Sequence, residues 1–292
     1  MNPVSQRLHP ARIRRTLGAA SCVQAPTAFV VNELRGIATV GRYRLRQSGL
    51  LAGVRHPLLD MWVLEEVFRF RAYAPPPQVS AALARLARPL RILDLGGHVG
   101  YFGLYMRQRY PDARITSFEP DPGNAALLGA CIQANGLSDR WELIEACAGT
   151  EDGACEFTSN FHLSRIGATD DGALTDFHGG IRDAFPFLAG TALVEPVSRR
   201  VRQQDVLPAL DEADLVKMDI EGGEWEILAD ERFPALSATA LVLEYHPGYA
   251  PGPDADAVVT AALGRAGYVV WTASRGPDGA TVWAWKDPGA IS

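Results

Sequence analysis

Carboxylates and one histidine stand where short apolar runs give way to glycine. Asp94 comes just before Gly96, Gly97 and Gly100, and Glu119 closes the next apolar run. Asp219, Glu221 and Glu224 follow a later run, and Glu244 and His246 end another. Glycines let a ligand lie against the backbone, because a Cβ would clash there. A helix-like run that opens at Tyr101 adds unpaired N–H groups at its N-terminus. An acid ending the second strand can accept both ribose hydroxyls. This pattern suits a nucleoside, with Asp94, Gly96, Gly97, Gly100, Tyr101 and Glu119 as candidate contacts. Pro120 stiffens the turn after Glu119. Ala146, Cys147 and Ala148 end a third strand, where small residues leave room for an adenine ring; for Cys147, core packing is an equal explanation.

The type of nucleoside follows from charge and spacing. A dinucleotide site has the form G-x-G-x-x-G, with the pyrophosphate on the helix N-terminus. Here the order is Gly96-Gly97-His98-Val99-Gly100, which does not fit that frame. Asp94 would also repel a pyrophosphate, but it can hold an ammonium group directly or through water. S-adenosylmethionine carries an ammonium and a sulfonium and no phosphate, so the residues favour it over NAD, FAD or ATP. No G-x-x-x-x-G-K-[ST] loop occurs.

These residues need a scaffold, and the chain is large enough to build one. It has 292 residues, 47% hydrophobic and 21% charged, sufficient for one large or two small domains with a real core. The net charge of −6 argues against general nucleic-acid binding. Arg7, Arg12, Arg14 and Arg15 precede the first acid, Glu33, and form either a contact for an acidic partner or a solvated, frayed terminus. Cys22, Cys131, Cys147 and Cys155 form no C-x-x-C pair, which fits reduced thiols in a cytoplasm. No apolar run reaches the length of a membrane span, and no signal peptide is visible.

From about residue 90 the pattern alternates strand and helix. Strands are expected at 90–95, 114–119, 141–147, 213–219 and 240–245, and helices at 101–109, 122–135, 223–229 and 254–266. Such alternation predicts a parallel sheet covered on both faces. Two last strands, 267–273 and 280–286, flank a short linker and should pair as an antiparallel hairpin. The expected architecture is α/β: a Rossmann-like, mostly parallel sheet with a reversed final strand, spanning 86–292. Residues 1–85 form a helical preface whose clearest helix, 58–70, is stopped by Pro75, Pro76 and Pro77, with a short helix at 81–86. An insert at about 149–195 carries strands near 154–158 and 194–201. Its Phe157, Phe161, His162, Phe177, His178, Phe185 and Phe187 either line an apolar acceptor pocket or pack among themselves.

Four segments together resemble the FkbM family of S-adenosylmethionine-dependent methyltransferases. They are Asp94-Leu-Gly-Gly-His-Val-Gly-Tyr-Phe102, Phe118-Glu-Pro-Asp121, Val216-Lys-Met-Asp-Ile-Glu-Gly-Gly-Glu224 and Leu243-Glu-Tyr-His-Pro247. The resemblance covers about 90–250 and implies a class I methyltransferase fold. It also implies O-methylation of a hydroxyl on a natural product or sugar. His98 stands where the family often has Asn, and can face the cofactor's carboxylate or ribose.

An alcohol must lose its proton as it attacks a methyl group, so a base within hydrogen-bond reach is required. His246 has a suitable intrinsic pKa, and Asp219 can accept the proton or orient the alcohol. Glu221 joins them as a candidate, although helix capping also explains acids at a helix start. Lys217 is expected in a structural ion pair. Magnesium held by Asp219 and Glu244 is an alternative; with no clear third ligand, no metal is assigned. The partner is then a small hydroxyl-bearing acceptor, not a nucleic acid or a membrane. Residues 1–85 shape the acceptor pocket or a subunit contact, the latter making a homodimer. Two other readings stay open: an N- or carboxyl-methyltransferase of the same fold, and a non-catalytic binding module.

Overall fold

A computed structural model describes residues 10–57, 60–159, 165–166, 197–276 and 279–286. The N-terminal region opens with two helices, α1 (Pro10–Ala20) and α2 (Pro26–Arg35), the second ended by left-handed Gly36. An antiparallel hairpin follows, β1 (Thr39–Arg44) with β2 (Leu51–His56). The preface is therefore not purely helical. Its signal was the alternation Arg42-Tyr43-Arg44-Leu45-Arg46, which buries Tyr43 and Leu45 and exposes the charges between them.

The basic head is not simply solvated. Arg12 is buried and bonds Glu33 at 2.8 Å. The second oxygen of Glu33 meets His56 Nδ1 at 2.8 Å, and His56 Nε2 meets the Tyr43 hydroxyl at 2.9 Å. This chain ties α1, α2 and the hairpin together. Arg14 is exposed, and Arg7 lies outside the described residues.

Helix α3 (Asp60–Glu65) runs on as a wider turn of helix over Glu66–Phe70. It ends at Arg71, whose left-handed backbone lets its N–H bond Glu66 O. The three prolines do not stop it; they begin the next helix, α4 (Pro77–Ala84), where proline fits because its missing N–H would be unpaired anyway.

The core then alternates: β3 (Arg91–Leu95), α5 (Tyr101–Arg109), β4 (Arg114–Phe118), α6 (Pro122–Ala134) and β5 (Trp141–Ile144). The third strand stops at Ile144, earlier than expected. β6 (Cys147–Gly149) belongs to a second sheet with β7 (Gly153–Ser159), β8 (Arg165–Ile166) and β9 (Val197–Asp205), in the order β6-β9-β7-β8. The chain returns through α7 (Leu207–Glu212), β10 (Leu215–Met218), α8 (Glu224–Ala229), β11 (Ala240–Tyr245) and α9 (Ala255–Arg265). It finishes with β12 (Val269–Arg275) and β13 (Ala280–Trp285).

The main sheet has the order β12-β13-β11-β10-β3-β4-β5. The expected hairpin is present, but β13 inserts between β11 and β12 and is antiparallel to both. The reversed strand thus lies inside the sheet, and β12 at the edge runs parallel to the rest.

Strand residues divide between two cores with a period of two. Ile92, Ile115, Leu215, Val242 and Trp283 join α5, α6 and the N-terminal region on one face. Leu93, Leu95, Phe118, Val216, Met218, Leu243 and Val282 face α7, α8 and α9 on the other. Both faces are covered, as near-continuous apolar strands require.

Candidate functional site

The ends of β3, β4, β10 and β11 meet at one edge of the sheet. Register places Ser117, Asp94 and Lys217 side by side across β4, β3 and β10. Ser117 Oγ donates to Asp94 Oδ2 at 2.9 Å. Lys217 Nζ lies 3.8 Å from Asp94 Oδ1, and donates to Gly96 O at 2.7 Å and Leu95 O at 3.3 Å. Asp94 is fully buried, and Oδ1 has no hydrogen-bond partner among the described residues. Burial raises its pKa, while Lys217 and Ser117 pull it down. The lysine ammonium therefore lies beside the carboxylate that the sequence offered to a ligand's ammonium. A ligand at Asp94 shares the acid with Lys217.

The glycine turn is fixed by its own neighbours. Gly96 and Gly97 both donate to Phe118 O, at 3.0 and 2.8 Å. Gly96 has φ +82°, and a Cβ there would come within 2.0 Å of Asp219 O. A Cβ on Gly100, at φ +92°, would meet Leu128 at 2.6 Å. Close approach of β10 and α6 thus demands these glycines, in addition to any ligand. Between them His98 takes φ +46° and turns its N–H to Glu119 Oε2 at 2.7 Å.

Glu119 is buried and oriented from three sides. Besides His98, the Asp121 N–H donates to Oε1 at 2.8 Å and Asn124 Nδ2 at 3.4 Å. Burial pushes its pKa up to about 7, against those hydrogen bonds. Pro120 is half-buried beside it, and Ala146 is buried against the core that holds Phe118. Cys147 and Ala148 are also buried, in β6. Tyr101 is buried under the turn; its hydroxyl donates to Gly53 O at 2.7 Å, which ties α5 to the hairpin.

On the other side, Asp219 Oδ2 accepts from Tyr73 at 3.3 Å and lies 3.3 Å from Lys217 Nζ. Its side chain stays 24% exposed, so it can still be reached from solvent. Burial alone would raise its pKa; Lys217, His246 and Tyr73 reverse that and hold it below the ordinary value. Tyr73 also donates to Glu244 Oε2 at 3.5 Å and packs edge-on to Phe102. No sequence motif marked Tyr73; the structure carries it in from the segment before the three prolines.

His246 sits between acids. Its N–H donates to the fully buried Glu224 Oε1 at 3.1 Å, and Gly222 N–H donates to Glu224 Oε2 at 2.7 Å. Nδ1 lies 3.4 Å from Glu224 Oε1 without hydrogen-bond alignment, and Nε2 lies 3.3 Å from Glu221 Oε2. Burial would discharge the ring, but Glu224, Glu221 and Asp219 hold its pKa up to about 10. Burial and acidic neighbours push Glu221 and Glu244 up to about 8. The site thus favours the charged form of His246 and of Asp219, while burial favours the protonated form of Glu221 and Glu244. Among the described residues, Asp219, Glu221 and His246 offer ligand atoms that all lie within 4.8 Å of one another, a grouping that could hold a metal ion.

Phe157 is buried on β7, while Phe161, His162, Phe177, His178, Phe185 and Phe187 lie outside the described residues. The four cysteines are free. Among the described residues no helix is long and apolar enough to cross a membrane.

A family model, the methyltransferase FkbM domain, matches residues 94–270. The 2-O-methyltransferase NoeI of Sinorhizobium fredii is 29% identical over 160 residues, covering 53% of this chain and 62% of that protein. Methyltransferase sdnD of Sordaria araneosa is 26% identical over 174 residues, covering 53% and 66%. Each match spans less than two thirds of the relative's length. A solved methyltransferase FkbM from Methylobacillus flagellatus KT aligns over 94% of this chain and 59% of its own, at 12% identity and a TM-score of 0.43.

Proposed function

We propose that this chain, which belongs to the methyltransferase FkbM domain family, transfers a methyl group from S-adenosylmethionine to a hydroxyl of a small-molecule acceptor, a natural product or a sugar. The residues present suit the cofactor. Among the described residues a buried Asp94 oxygen lacks a hydrogen-bond partner, and a carboxylate, Glu119, is oriented by two backbone N–H groups at the adjacent strand end. Bound there, S-adenosylmethionine supplies an electrophilic methyl on its sulfonium. Glu119 would accept from the ribose hydroxyls, and Asp94 from the ammonium alongside Lys217.

The observation that carries the O-methylation reading is Asp219. It is a carboxylate held ionised at the end of β10, in the strand-end layer that also holds the glycine turn. Lys217 and Tyr73 both engage Oδ2, so Oδ1 is the atom offered to an incoming hydroxyl. Its task is to take the acceptor's proton as oxygen attacks. His246, already charged, is better suited to holding the acids in place than to accepting a proton. Tyr73 comes from the N-terminal region, which supports reading residues 1–85 as a cap on the acceptor side.

Calorimetric titration with S-adenosylhomocysteine tests the cofactor assignment. Micromolar binding by the native protein, weakened at least tenfold in Glu119→Ala, is expected. A folded native protein that does not bind would remove the cofactor assignment and leave a non-catalytic module.

A further inference from the structure

The hairpin strand β2 reaches the glycine turn through one side chain. Arg55 bonds Asp60 with Nε at 2.9 Å and Nη2 at 2.8 Å, and its own N–H donates to the same carboxylate at 2.9 Å. Asp60 is fully buried, so the guanidinium plane is fixed from below. From that position Arg55 Nη2 comes within 3.3 Å of His98 Nε2. His98 is the residue whose main chain orients Glu119. Burial, with Arg55 and Lys217 nearby, lowers its pKa to about 4, so the ring is neutral and Arg55 is the cation at this contact. The Arg55 side chain remains 16% exposed and that of His98 23%, so both can meet a ligand.

The amino-acid end of S-adenosylmethionine carries an ammonium and a carboxylate on one carbon. Their partners must therefore lie around one turn. Asp94 and Lys217 sit at its start, and the Arg55–His98 contact lies two residues past Gly96. A rigid guanidinium suits a planar carboxylate better than an ammonium would. Resting on the S-adenosylmethionine reading above, we propose that Arg55, set by Asp60 and bordering His98, binds the carboxylate of the cofactor's methionine end. The N-terminal hairpin is then part of the cofactor site, and Arg55 acts as a specificity residue for the intact amino-acid tail.

The test compares two ligands that differ by that carboxylate: S-adenosylhomocysteine and its decarboxylated form, 5′-(3-aminopropyl)thioadenosine. Calorimetry is run on the full chain as native protein, Arg55→Lys, and the paired Arg55→Met with Asp60→Leu, which avoids leaving Asp60 buried and unpaired. Thermal melts confirm folding, and the lysine variant keeps a charge against Asp60 if the double variant does not fold. The native protein should prefer S-adenosylhomocysteine by at least tenfold. That preference should shrink several-fold in Arg55→Lys and vanish in the double variant, while binding of the decarboxylated ligand hardly changes. An unchanged preference in the folded variants, an equal loss for both ligands, or no preference in the native protein overturns the assignment. If the native protein binds neither ligand, it is the cofactor reading itself that fails.

Discussion

Asp219 and His246 are neighbours with opposite protonation, and that difference divides their roles. Both were eligible bases by residue type. Packing lowers Asp219 through Lys217 and raises His246 through Glu224 and Glu221. Asp219→Asn should therefore lower kcat by about 10²- to 10⁴-fold, the usual worth of a positioned base. Binding of S-adenosylhomocysteine should stay within a few-fold of native, and a chelator should leave native turnover unchanged. Steady-state kinetics beside calorimetry checks all three. Native-like kcat in Asp219→Asn would move the base elsewhere or point to an amine acceptor that needs none. Chelator loss restored by magnesium would show that turnover needs a metal ion, with the acids around Asp219 as its candidate ligands. Residue type alone brought Asp94, Glu119 and Asp219 forward as candidates; it did not bring forward Tyr73, because nothing in a lone tyrosine before three prolines announces a carboxylate partner 146 residues away.

At the scale of elements, the glycine turn joins β3 to α5 and must also clear β10. Gly96→Ala would force a Cβ against Asp219 O at a left-handed φ, and the backbone on both sides must move. We expect a loss of about 1–3 kcal/mol in stability together with loss of S-adenosylhomocysteine binding. Gly153→Ala, with nothing within 4 Å of its Cβ, serves as the control and should be near neutral. Thermal melts and calorimetry measure both; an unaffected Gly96→Ala would mean the turn has slack. The segment from β3 to α6 was legible because buried parallel strands and their covering helices leave long apolar blocks separated by glycine. Elsewhere contacts outweighed pattern. β5 stops at Ile144 and β6 pairs with β9 in the second sheet, a partner 56 residues further along, from Cys147 to Gln203. Helix α3 ends at Arg71 through a left-handed cap that no glycine signals.

Across the whole molecule, several acids and a histidine are kept protonated beyond their ordinary range, and their effects on stability share a sign. Glu119 binds its proton up to about 7 when folded but only to 4.5 when unfolded, so rising pH through that window costs stability. Glu221 and Glu244 extend the window to about 8, and His246 spans 6.5 to about 10 in the same direction. His98, lowered from 6.5 to about 4, opposes them only below pH 6.5. The ligand-free melting temperature should therefore fall from pH 7 to pH 9, and Glu221→Gln should flatten that slope. A slope unaltered by the variant would show that Glu221 titrates normally. What the sequence determined by itself is the α/β alternation, the glycine turn and the acids at strand ends, because periodicity and turn chemistry are local. Tertiary structure alone decided which acids are charged, that β13 inserts inside the sheet, and that Tyr73 and Arg55 come from the N-terminal region to the strand ends. Protonation depends on burial and on neighbours, and both are set by contacts between residues far apart in the chain.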